Sequence, residues 1–141
     1  MVDLETVTVR NDLEDLPAVY TVLERFCTGA GLSDAVRRTL CLVVEELFAN
    51  TVAYGYPDGG KDQIAITAAL GPTHVKLVLS DRARPFDNSG MPSGPPEADT
   101  VEDMGIGGLG LYLVHQLADD VATQRIGNVN HTTVLVPRAK D

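Results

Sequence analysis

Glu46 and Asn50 stand four residues apart in an apolar run that extends from Leu40 to Tyr56. At about 100° per residue a helix puts both on one face with Tyr54, beside Leu42, Ala49 and Ala53. A carboxylate can orient a nucleophile or take its proton, and a carboxamide oxygen can ligate a metal ion. Polar groups held among apolar ones are either satisfied internally or kept to hold something, and the helix alone leaves both readings open. Glu45 points about 100° away from the Asn50 face and is the poorer candidate base. Further along, Asp81 ends an alternating stretch, and Gly105, Gly107, Gly108 and Gly110 crowd together before an apolar run. Glycines that open a helix expose backbone N–H groups to phosphate oxygens, although the same cluster could be a simple hinge. No parallel-sheet repeat surrounds it, so it is not a dinucleotide fingerprint.

The elements that must carry these residues are readable in order. Val7 to Val9 suggests a short strand, followed by a helix capped by Asn11 or Asp12 and running to about Cys27, with Pro17 in its early part. Gly29 to Gly31 closes it, Ser33 or Asp34 caps the organising helix, and Gly55, Pro57 and Asp58-Gly59-Gly60 end that helix. Ile64 to Leu70 and His74 to Ser80 alternate as a hairpin about Gly71-Pro72, which delivers Asp81 at a strand end. Residues 88–107, rich in Gly, Pro and Ser, read as a mobile lid, because compact domains rarely carry so long a connection otherwise. The helix that follows turns Leu109, Leu113, Val114 and Leu117 inward. Asp120 to Arg125 and Asn130 to Val136 then close the chain as a hairpin about Gly127-Asn128. The sum predicts a single domain over residues 1–141. Its expected fold is a two-layer α+β sandwich, with about three helices on one face of a mixed, mostly antiparallel sheet.

Composition narrows the function. A net charge of -9 lacks the basic footprint that nucleic acid or an anionic membrane demands. The amino terminus shows no basic region followed by an apolar core, and no apolar run is long enough to span a bilayer. Cys27 and Cys41 lack metal-type spacing and read as buried thiols of a reducing, cytoplasmic protein.

Three motifs in this order, Glu46-x-x-x-Asn50, Asp81-Arg82-Ala83-Arg84-Pro85-Phe86-Asp87 and Gly108-Leu109-Gly110, resemble the GHKL superfamily of ATP-binding domains, which includes gyrase, MutL and histidine kinases. More narrowly, with Tyr54-Gly55-Tyr56 after the first motif, the chain resembles the anti-sigma-factor serine/threonine kinases of bacterial partner-switching systems. The resemblance implies ATP and Mg²⁺ as cofactors, with Asn50 on the Mg²⁺ and Glu46 as general base toward a partner's hydroxyl. It makes Asp81 the acceptor for the adenine amine, with Ala83 and Phe86 in the same motif. It sets Gly105, Gly107, Gly108, Leu109, Gly110 and Leu111 along the phosphates, and Thr133, next to Thr132, near adenine through water. It implies a sigma factor and a STAS-type anti-sigma-factor antagonist as partners, and a homodimer as a common state. Two departures stand out: Ala83 occupies a position where glycine is commonest, and no Lys or Arg lies between Arg84 and Arg125. The second keeps open a nucleotide-gated binding module with little or no kinase activity. A detached histidine-kinase domain is a further alternative, but His74, His115 and His131 lie in no phosphoacceptor helix.

Overall fold

The computed structural model describes residues 4–84 and 108–138, with side chains in the last helix described from residue 112 onward. The expected lid over residues 88–107, together with Phe86, Gly105 and Gly107, lies outside them.

Among the described residues five strands and three helices follow in the order β1 (Leu4–Arg10), a 3₁₀ turn (Leu13–Asp15), α1 (Leu16–Ala30), α2 (Asp34–Tyr54), β2 (Gln63–Leu70), β3 (His74–Asp81), α3 (Gly108–Leu117), β4 (Asp120–Ile126) and β5 (Val129–Pro137). The sheet order is β1-β2-β3-β5-β4. Every pairing is antiparallel. Because β5 inserts between β3 and β4, the final strand is interior to the sheet and sets the neighbours of Asp81.

The first helix departs from its expected bounds. Asp12 does cap, accepting from the Glu14 amide, but what it caps is the 3₁₀ turn. The α-helix begins at Leu16 with Pro17 in its first turn, where a missing amide is harmless, and reaches Ala30 rather than Cys27. Gly31 then takes a left-handed φ of 69°, which closes the helix at little steric cost. Ser33 caps α2 through the Val36 amide, as expected.

Along β2, β3 and β5 alternate residues are buried, so one sheet face meets the helices. Helix α2 touches α1, α3, β3 and β5, which is why its apolar residues run nearly all the way round. Phe48, Val43, Leu40 and Val36 of α2 are fully covered, with Phe26 and Val19 of α1 and with Ile64, Val75, Val134 and Val136 of the sheet. Each such side chain contributes about 1.5–3 kcal/mol through burial. A helix fixed on so many sides is a rigid mount for Glu46 and Asn50.

Gly55 ends α2 with its amide on Thr51, and its carbonyl accepts from the Arg84 amide at 3.0 Å, stitching the helix end to the chain after β3. A Cβ on Gly55 would stand 2.5 Å from the Ala83 methyl and 2.5 Å from the Thr51 carbonyl oxygen. Gly55→Ala is therefore expected to destabilise the chain by about 1–3 kcal/mol in urea denaturation. Adding Ala83→Gly should recover only part of that loss, since the Thr51 oxygen still obstructs.

Candidate functional site

The C-terminal half of α2 supplies one wall. Asn50 is 6% exposed, and its Nδ2 is buried without a hydrogen-bond partner. A buried amide left unpaired costs about 1–3 kcal/mol, and among the described residues this one has no partner, which makes it a candidate for holding a ligand. Rotating the same amide would present its oxygen instead. One turn earlier Glu46 is half-buried, and burial, with the neighbouring Glu45 charge, pushes its carboxyl above the usual range. Among the described residues no three His, Cys, Asp or Glu side chains converge into a metal cage. A single amide oxygen nevertheless suits Mg²⁺, which keeps waters and takes substrate phosphates as ligands. The donor set therefore fits the metal that the resemblance implies.

The floor comes from β3 and β5, whose register places Asp81 opposite Asn130. Asp81 Oδ1 accepts from the Ala83 amide at 3.0 Å and from Asn130 Nδ2 at 2.9 Å. The same Asn130 amide group donates to the Ala83 carbonyl at 2.9 Å. Arg125 Nη1 donates to Asn130 Oδ1 at 2.9 Å and to the Ala83 carbonyl at 3.1 Å. Burial pushes the Asp81 carboxyl above its ordinary value, while the bonds from Asn130 and the Ala83 amide oppose that shift. Among the described residues Asp81 forms no ion pair with either nearby arginine, Arg82 or Arg84, and Arg82 pairs with Asp62 instead.

A cleft at the end of α2 brings together Asn50, Gly55, Asp81, Ala83, Asn130 and Thr132, with Arg84 at its rim. Of the residues named from sequence, Asn50, Asp81 and Ala83 line this cleft, and Glu46 lies one turn back along the same helix. Gly108, Leu109, Gly110 and Leu111 begin α3, so the glycine cluster does open a helix, though their side chains are not described. Of the two adjacent threonines, Thr132 and not Thr133 lines this cleft. Thr132 is 4% exposed and shares the inward parity of Val134 and Val136, whereas Thr133 points to the opposite sheet face beside Val78. That parity was available in the sequence as an alternation. Asn130 and Arg125 were missed, because only the β3–β5 and β4–β5 registers bring Asn130 against Asp81 and Arg125 against Asn130. A larger hollow of about 360 Å³ opens elsewhere, lined by Arg10, Asn11, Tyr56, Lys61 and Asp62. It contains none of these site residues, and its Arg10 and Asp62 are already paired, with Asp15 and Arg82.

Both site carboxyls bind a proton more tightly folded than unfolded, so their ionisation opposes folding. Their favourable contribution is complete below the ordinary values of 3.8 for Asp81 and 4.5 for Glu46, and is lost as pH rises through the folded values. Asp81→Asn and Glu46→Gln are each expected to melt higher than the parent chain at pH 7. The difference should vanish when the melts are repeated below pH of about 4.

Comparison with known proteins bears on the family and the fold. A protein from Oceanobacillus iheyensis called Serine-protein kinase RsbW is 34% identical over 86 residues, 58% of this chain and 54% of that protein. The Serine-protein kinase RsbW of Bacillus subtilis is 29% identical over 104 residues, 72% of this chain and 62% of its own length. The chain thus spans little more than half of these relatives. The crystal structure of the RsbU and RsbW domains of Rv1364c from Mycobacterium tuberculosis superposes with a TM-score of 0.64. That match covers 98% of this chain and 34% of the other at 16% identity, which speaks for the fold alone. The sequence profile of the histidine kinase-like ATPase domain matches residues 9–136. With that match running from β1 into β5, and the Glu46, Asn50 and Asp81 constellation mounted on an antiparallel α+β sandwich, the chain belongs to the histidine kinase-like ATPase domain family.

Proposed function

We propose that this chain binds MgATP and transfers the γ-phosphoryl group to a serine or threonine of a protein partner. The observation that carries the reading is the pairing, in one cleft, of Asn50, whose buried Nδ2 has no partner among the described residues, with a carboxylate whose Oδ1 alone is engaged by described residues. Oδ2 of Asp81 accepts from the exocyclic amine of adenine, and guanine is disfavoured because its keto oxygen would face that carboxylate. Asn50 Oδ1 holds Mg²⁺, which supplies charge neutralisation on the phosphates. Glu46 accepts the proton of the incoming hydroxyl as the new O–P bond forms and ADP leaves. Its raised carboxyl pKa moves it toward the range in which a base both stays ionised and holds a proton.

The partner reading extends from the relatives named as serine-protein kinases: an anti-sigma-factor antagonist of STAS type as phosphoacceptor, and a sigma factor as the sequestered protein. The acidic surface, at a net charge of -9, suits a basic protein partner. One observation favours a second reading, in which nucleotide gates partner binding with little transfer. The sequence offers no Lys or Arg between Arg84 and Arg125, and Arg84 is the one cationic side chain among the described residues that line the cleft.

Calorimetry with MgATP and MgGTP tests the nucleotide site. Asp81→Asn, whose amide can donate to a keto oxygen, is expected to erase the preference for ATP. Transfer of labelled phosphate to a candidate antagonist tests the chemistry. Glu46→Gln should lower its rate about 10²- to 10⁴-fold while MgATP still binds. Undiminished transfer by that variant would remove Glu46 from its role, and tight ATP binding with no phosphorylated partner would select the gating reading.

A further inference from the structure

We propose that Asn130, oriented by Arg125, is the positioning residue that sets which purine this site accepts. The inference rests on the ATP reading above and deepens it. Asp81 and Asn130 are each 5% exposed, so solvent does little to average their orientations. Asn130 lies between a cation and a carboxylate: its Oδ1 takes the Arg125 Nη1 proton and its Nδ2 donates to Asp81 Oδ1. Turning the amide over would set its oxygen against the carboxylate and its N–H against the guanidinium. The charges on either side therefore allow one orientation only.

That orientation decides what Asp81 can do. Asn130 Nδ2 and the Ala83 amide both donate to Oδ1, and the Ala83 carbonyl is bound in turn by Asn130 and Arg125. The carboxylate is thereby locked about its terminal torsion, and no described residue donates to Oδ2. One lone acceptor at a fixed point on the cleft floor is what distinguishes a ring bearing an amine from one lacking it. A direct Arg125–Asp81 ion pair would instead have left a guanidinium competing for the same oxygen. Interposing an amide keeps the cation at one remove and leaves the acceptor available.

The test is calorimetric titration with MgATP and with the magnesium complex of purine riboside triphosphate, which is ATP without its exocyclic amine. The parent chain, Asn130→Ala, Arg125→Leu and Arg125→Gln are compared. Asn130→Ala is expected to cut the preference for ATP about tenfold, the size of one lost hydrogen bond to a charged group, with a much smaller change in affinity for the amine-free analogue. Arg125→Leu, which frees the amide to turn over, should cut the preference severalfold. Arg125→Gln, which still donates to Asn130 Oδ1, should restore it. Should Asn130→Ala fail to fold, the two Arg125 variants decide the matter alone. An undiminished preference, or an equal loss for both nucleotides, gives Asn130 a merely structural part and overturns the inference. A parent chain that binds neither nucleotide overturns the ATP reading and this inference together, and does so before any substitution is made.

Discussion

The buried carboxylate of Asp81 is the constraint that shapes one end of this molecule. An ionised group with 5% exposure has given up most of its hydration, and what replaces it is a short set of fixed donors from β5 and from the backbone two residues on. Those donors compensate only in part, which is why burial still raises the carboxyl pKa. The surrounding fold must therefore hold a group that works against folding. It does so by ending β3 between an interior strand and the C-terminal end of the longest helix.

The junction of α2 with the chain after β3 is correspondingly tight. Ala83 presents its methyl to Gly55, the Gly55 carbonyl takes the Arg84 amide, and Asn50 sits one turn inside the helix end. A side chain at position 83 is tolerable because position 55 has none. The departure from glycine noticed in the second motif is thus matched by a glycine on the opposing element, and the two positions are best regarded as one steric unit.

Much of this was legible in the sequence. The caps at Asp12 and Ser33, the stop at Gly31, both hairpins and the α2 face carrying Glu46 and Asn50 are dictated by local rules: side-chain oxygens near free amides, a left-handed glycine, and the two periodicities. What local rules do not reach is the pairing of strands distant in the chain. Asn130 lies 49 residues from the carboxylate it holds, and its partner Arg125 lies across a hairpin, so neither is adjacent to Asp81 in any pattern a sequence displays. Thr132 is a different kind of case. Its inward orientation follows from the alternation that buries Val134 and Val136, whereas Thr133 is the position that motif resemblance picks out.

The place of β5 has a consequence for how the molecule comes into being. This strand is the last of the described elements in chain order, yet it is flanked on both sides in the sheet. A nascent or clipped polypeptide lacking it would present two raw strand edges and an aspartate stripped of its amide clamp. The Asp81 floor is consequently assembled late, after every other described element is in hand, and a chain halted before Val129 is an aggregation hazard.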